Sequence, residues 1–302
     1  MESRVIEIGE GIHLIDCFFA GMTGQCGVYL LRGEKTALVE SGPSTGVEHV
    51  LAGLAELGID GTEMDYVLLT HIHLDHAGGA AFLLQYMPKA RVLVDGRSAR
   101  YLVEPEKLVR SAGKALGVIA PHYGTMYPVS EERIIPLHDG FMLDLGEGMS
   151  LQAVHTPGHS HGHYAFFEPH RADLFCGDAL GHFLGEDLPP MPATPSPEFD
   201  PELSLASARR LRELSPKKLL FTHFGSTSRT RETIDLFMER LQHLVRVAEK
   251  LRGMEDWAER LSQSILEGLS CLSGEELELL SGIARVNARG IMHYLNRKST
   301  NH

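Results

Sequence analysis

The chain has few cysteines, no basic run and no long apolar run, and each shortage removes a class of function. Its four cysteines, Cys17, Cys26, Cys176 and Cys271, show neither CxxC nor CxC spacing. They match neither a thiolate zinc site nor a disulfide scaffold, and read as free thiols in a reducing compartment. With 28 Lys+Arg against 40 Asp+Glu the net charge is -12, and no basic run is longer than Arg297-Lys298. That leaves no footprint for a phosphate backbone or an anionic membrane surface, so neither nucleic acid nor a membrane is expected as a partner. Glu2, Arg4, Glu7, Glu10 and Asp16 break up any signal-peptide apolar region, and no apolar stretch reaches the length of a membrane span. A cytoplasmic location is expected.

What the chain does have is histidine, 17 of them in 302 residues of otherwise ordinary composition, 43% hydrophobic. That length suits one catalytic domain with an appendage. Short apolar runs alternate with turn signals through the first half. Strands are predicted over 11–15, 27–31, 36–39, 66–70 and 90–94, with helices over 46–57 and 80–86. The strand, helix, strand rhythm breaks between Gly96 and Pro136, where a helix around 104–116 precedes an aromatic, proline-flanked loop, 121–128. Strands resume at 141–143, 151–154, 164–167, 173–176 and 218–221, interrupted by a proline-stiffened loop over 188–197. Beyond Ser226 the pattern turns wholly helical. An amphipathic helix is predicted over 229–251, and a capping box at Ser273-Gly274-Glu275-Glu276 opens a last one. Residues 1–226 therefore read as the catalytic domain and 227–302 as a helical C-terminal extension packed on it. No internal repeat is found.

The chemistry concentrates in Thr70-His71-Ile72-His73-Leu74-Asp75-His76-Ala77-Gly78-Gly79, three histidines and an aspartate within six positions. Neutral imidazole is the commonest nitrogen ligand for a transition metal, and carboxylate is its usual companion where water is to be activated. On an extended segment residues two apart share a side, so His71 and His73 can grip one ion while Ile72 faces the core. Asp75 and His76 follow the turn and approach from another direction, which favours a second ion. Further ligands are sought at strand ends on the same rim: His159 in the tight turn of HTPGHSHGH, Asp178 in CGD and His223 in THFG.

This ordered series, His71-x-His73-x-Asp75-His76, then His159, Asp178 and His223, resembles the metallo-β-lactamase superfamily over roughly residues 10 to 225. The resemblance implies an α/β fold, the four-layer αβ/βα sandwich, with the site along one edge of its two sheets. It implies one metal held by His71, His73 and His159, a second by Asp75, His76 and His223, and Asp178 bridging the two. The cofactors would be two divalent metal ions, zinc before iron or manganese, sharing a hydroxide that attacks the substrate, with Asp75 or Asp178 taking its proton. Where many members carry an acidic DTG, this chain reads Glu40-Ser41-Gly42. Glu40 is then a candidate to orient a ligand histidine through its other ring nitrogen.

The other histidines weigh less. His155, His161 and His163 share a turn with His159 and read as structural hydrogen bonders. His122, His138 and His182 are weaker still, though His182 follows Asp178 by four residues, and His243 and His293 read as surface. Phe18, Phe19, Met22, Tyr123, Met126 and Tyr127 are candidates to line an apolar pocket, alongside the C-terminal helices, which could also form a homodimer surface.

Within the superfamily the chain looks most like glyoxalase II and the acyl-homoserine lactonases, implying a hydrolase of a small-molecule ester, thioester or lactone. The competing class is the persulfide dioxygenases, which would use one iron on His71, His159 and Asp178. A ribonuclease Z-like phosphodiesterase comes third, lowered by the acidic balance.

Overall fold

The computed structural model describes residues 1–269 and 274–300. Cys271 and the serine of the capping box, Ser273, lie outside the described residues.

Two sheets face each other. The first runs in spatial order β1 (Val5–Gly9), β2 (Ile12–Asp16), β3 (Gly27–Arg32), β4 (Thr36–Val39), β5 (Met64–Leu68), β6 (Arg91–Asp95) and β7 (Ile134–Leu137). It is antiparallel from β1 to β4 and parallel from β4 to β7. The parallel steps need crossovers. These are α1 (Val47–Glu56), the short α2 (Leu74–Ala77), α3 (Ala80–Tyr86), and the group α4 (Arg100–Val103), α5 (Glu106–Leu116) and α6 (Ala120–Tyr123).

The second sheet is built from β8 (Met142–Gly146), β9 (Met149–His155), β10 (Tyr164–Glu168), β11 (Asp173–Phe175), β12 (Lys218–Phe221) and β13 (Gly225–Thr227), in the spatial order β13-β12-β11-β10-β9-β8. Its one parallel pair, β11 with β12, is bridged by α7 (Pro201–Glu213). The helices α8 (Thr230–Leu251), α9 (Trp257–Leu266) and α10 (Gly274–Thr300) complete the molecule. None of the described helices is long and apolar enough to cross a membrane.

The period-2 rule sorts the strands' side chains into three cores. Between the sheets lie Ile12, Leu14, Tyr29, Leu31 and Val39 against Leu151, Tyr164, Phe166, Phe175 and Leu220. Their neighbours Ile15, Val28, Leu30, Leu38, Val67 and Val92 turn outward onto α1 and α3. On the far side Ala165, Phe167, Leu174, Leu219 and Phe221 meet α7, α8, α9 and α10. The result is helix, sheet, sheet, helix, the four-layer α/β sandwich.

Candidate metal centre

Five strands, β4, β5, β9, β11 and β12, end on one rim, and the residues just past each end carry the site. The strand predicted over 66–70 stops at Leu68, so His71 and His73 sit in the loop before α2 rather than in the strand, His73 keeping an extended backbone. Ile72 is half-buried, packs against the core under the first sheet as expected, and also borders the cavity over the site.

The structure brings all seven sequence-predicted ligands together. Nε2 of His71, Nδ1 of His73 and Nε2 of His159 form a triangle with sides of 2.8, 2.9 and 3.1 Å. Nε2 of His76 and Nε2 of His223 lie 3.3 Å apart, with Asp75 Oδ2 3.4 Å from His223. Asp178 stands between the two groups. Its Oδ2 is 3.4 Å from His159, while its Oδ1 is 3.3 Å from His76 and 3.6 Å from His223. That buried Oδ1 has no hydrogen-bond partner among the described residues.

The hydrogen bonds behind the ligands fix where the ring protons are. Thr70 Oγ1 gives its proton to Glu40 at 2.6 Å, so its contact with His71 Nδ1, at 3.0 Å, is one it accepts. The carbonyl oxygens of Ala193 and Gln25 accept from Nδ1 of His159 and His223, at 3.1 and 2.9 Å. Glu40 Oε1 accepts from Nδ1 of His76 at 2.8 Å. In the neutral rings all four Nε2 atoms therefore carry lone pairs, and the 3.1 Å contact between His71 and His159 sets one lone pair against another. A bound cation relieves that contact, and burial disfavours the alternative of a proton on either ring. Three buried carboxylates, Glu40, Asp75 and Asp178, likewise need positive charge beside them. The donor set thus fits two cations, one at His71, His73 and His159 and one at Asp75, His76 and His223.

The two halves differ electrostatically. Burial, with the neighbouring imidazoles, pushes His71 far down, and burial pushes His159 down to about 4. Around His76 burial acts in the same sense, but the carboxylates of Glu40, Asp178 and Asp75 outweigh it and raise the ring well above its ordinary value. His223 is raised by Asp178 and Asp75 against the same burial. Burial would raise Asp178, but the surrounding imidazoles hold it well below the usual carboxylate range.

Glu40 is the hub behind the second half. It accepts from Thr70 Oγ1 and N, His76 Nδ1 and Thr222 Oγ1. These four bonds hold it at φ 72, a left-handed backbone that a residue with a long side chain rarely adopts. The partner left open in the sequence is thereby identified as His76. Thr70 and Thr222, each immediately before a ligand histidine, escaped the sequence reading, although their repeated place before the histidines of THIH and THFG is a signal that could have found them.

His163 is a structural hydrogen bonder. Its Nε2 accepts the Asp178 N–H at 3.0 Å, and its Nδ1 donates to Thr156. Gly177, at φ 49, makes that approach possible, because a Cβ there would lie 2.7 Å from both His163 Nε2 and Thr70 Oγ1. His155 contacts the His161 carbonyl through Nε2, and the His161 N–H donates to Glu198. His182, weak from sequence, is buried at the cavity, stacked on His223 and 4.0 Å from Asp178. His243, His293 and His138 are exposed, and His122 is half-buried against Phe19.

The wall of the cavity departs from expectation. Of the six residues proposed to line it, only Tyr123 does. Phe19 and Met126 are buried in the core under the first sheet, Tyr127 lies exposed against Phe82, and Phe18 and Met22 border a separate surface cleft. The apolar walls come from α10, one of the C-terminal helices expected there, and from α5, which was not expected.

The profile of the family described as "Metallo-beta-lactamase superfamily" matches residues 21–223 of this chain. The chain belongs to the metallo-β-lactamase superfamily. It is 33% identical over 206 residues to a metallo-beta-lactamase fold-containing protein of Sulfurisphaera tokodaii, covering 67% of this chain and 73% of that one. A hydroxyacylglutathione hydrolase of Aeromonas hydrophila is 33% identical over 153 residues, 51% of this chain but 46% of the relative, so the match spans less than half of that enzyme. Among solved structures, an archaeal metallo-β-lactamase superfamily protein from Sulfolobus tokodaii superposes with a TM-score of 0.73 at 27% identity, over 93% of this chain and 98% of the other. A family protein from Thermus thermophilus reaches a TM-score of 0.72 at 24% identity, over 97% and 95%, and speaks to the fold alone. The superfamily match ends at Phe221-Thr222-His223, so α8 to α10 lie beyond it.

Proposed function

We propose that the protein is a dinuclear metal-dependent hydrolase acting on a small-molecule ester, thioester or lactone. The observation that carries this reading is the convergence of imidazole lone pairs on two sides of Asp178, beneath a cavity of about 520 Å³. A cavity of that size suits a small molecule and not a folded nucleic acid. Two divalent cations, when bound, would supply Lewis acidity toward a carbonyl oxygen and lower the pKa of an attacking water. Zinc is the first choice for this nitrogen-rich donor set, with iron or manganese as alternatives.

The chain's own groups do the rest. Glu40, Thr70 and the Ala193 and Gln25 carbonyls hold the four rings in one tautomer, so no reorganisation is needed when cations bind. Asp75 borders the cavity and is kept ionised against its burial by His76 and His223, so its carboxylate can accept a hydrogen bond from the attacking water and orient it. Asp178 holds the two halves in register. Thioester hydrolysis is the variant that the partial likeness to hydroxyacylglutathione hydrolases supports.

The test is metal content on protein purified without added metal, with thioester, ester and lactone hydrolysis assayed on the same sample. Two equivalents of metal, with hydrolysis and the second equivalent lost in Asp178→Ala, are expected. A single iron, with oxygen consumed in the presence of a persulfide and no hydrolysis, would overturn the reading in favour of the dioxygenase.

A further inference from the structure

The cavity above the ligands is walled by α5 and α10, and the two helices present the same chemistry to it. Leu108, Ala112 and Leu116 face it from α5, Ile283 and Val286 from α10. At its edge each helix also carries one exposed cation, Lys114 on α5 and Arg289 on α10. Neither has a carboxylate partner among the described residues, in a chain whose net charge is -12. The exposed acid at the same cavity, Glu198, lies in the loop before α7 and is engaged by the His161 N–H at 2.9 Å.

One polar group on the α10 wall is left unpaired. Asn287 is 3% exposed. Its Oδ1 accepts the Thr194 N–H at 2.8 Å, which fixes the amide's orientation, and Thr194 Oγ1 donates to its backbone carbonyl. Nδ2 is then a buried donor without a partner among the described residues, a state that costs roughly 1–3 kcal/mol unless something else accepts from it. That atom is closed to the cavity, so Asn287 serves the wall by fixing Thr194 and with it the loop whose Ala193 carbonyl holds the ring of His159.

We propose that α5 and α10 select a substrate with an apolar acyl body and an anionic end. The acyl body lies between the apolar helix faces, and the negative charge meets Lys114 and Arg289 at the mouth. This assignment rests on the hydrolase reading for its kinetic half. Its binding half does not.

The test uses the metal-loaded full chain and three probes: the octanoyl thioester of neutral N-acetylcysteamine, that of anionic 3-mercaptopropionate, and octanoate as a product-like ligand followed by calorimetry. The anionic thioester should show the lower KM, and the pair Lys114→Ala with Arg289→Ala should raise its KM about tenfold more than that of the neutral one, with kcat little changed. Ala112→Trp, on a helix with no buried residue, should fill the cavity and abolish octanoate binding without unfolding the protein. Octanoate binding lost in Ala112→Trp, with no thioester hydrolysed, would sink the hydrolase reading and keep the pocket. Hydrolysis with KM ratios and octanoate binding indifferent to these changes would overturn the pocket and keep the hydrolase. No octanoate binding by the wild type would overturn the pocket whether or not the thioesters are hydrolysed.

Discussion

At the scale of single residues the centre is held by what stands behind the ligands as much as by the ligands. Four donors converge on the Glu40 carboxylate, so Glu40→Gln places an NH2 where at least one of them already points. Loss of that charge and the donor clash should weaken metal binding at the His76 half by about 10- to 100-fold. Competition with a chromophoric chelator measures it, and an unchanged affinity would show that His76 needs no such support. The pKa directions give a second expectation. A group raised above its ordinary value stays protonated below that raised value, so His76 and His223 carry extra protons near neutrality in the metal-free protein. His71 and His159 are lowered and carry none. Metal binding at pH 7 should therefore release protons from the His76 and His223 half only. Affinity there should fall as the pH drops through the raised values, while the other half keeps its affinity until the pH nears the lowered ones. Calorimetry in buffers of different ionisation enthalpy reads the released protons. His223→Asn should reduce the release and His73→Asn should not.

At the scale of elements, the sequence was legible where one face of a segment had one partner. Strands such as β3 and β10 were found because alternate residues feed two different cores. β1 and β13 were not, being short edge strands with polar residues, and β7 carries Pro136. α7 hid behind the proline loop, since Pro201–Glu213 buries two serines and a proline beside only Ala208 and Leu211. The ligands were readable because each follows a strand end within a short motif. The pocket wall was legible only in the C-terminal helices; that α5 shares the space is a tertiary fact with no local signature, and α5 has no buried residue to mark it. The seating of α10 yields the element-scale prediction. Gly290 passes so close to the chain that a Cβ would collide with the Thr194 carbonyl, so Gly290→Ala must push the helix off the loop that holds His159 and Asn287. A loss of about 1–3 kcal/mol by denaturant unfolding is expected, with weaker metal binding at the His159 half. An alanine variant of undiminished stability would mean that the loop yields freely.

At the scale of the whole molecule, the helical extension shares one apolar core with the sheet it covers. The outward face of the second sheet, with Val154, Ala165, Leu174, Leu219 and Phe221, is buried by Ile234, Phe237, Leu241, Leu244, Ile291 and Leu295 of α8 and α10. Each large apolar side chain returned to water costs about 1.5–3 kcal/mol, so uncovering that face alone approaches the roughly 5–15 kcal/mol that holds a typical domain together. The cavity would lose its α10 wall in the same cut, although all seven candidate ligands lie before it. A chain ending at residue 226 should therefore be insoluble or molten and should bind metal weakly, despite carrying every ligand. Near-UV circular dichroism and a thermal melt decide the matter. A cooperative transition with full metal content in the shortened chain would mean that the sandwich folds on its own and that α8 to α10 serve the cavity alone.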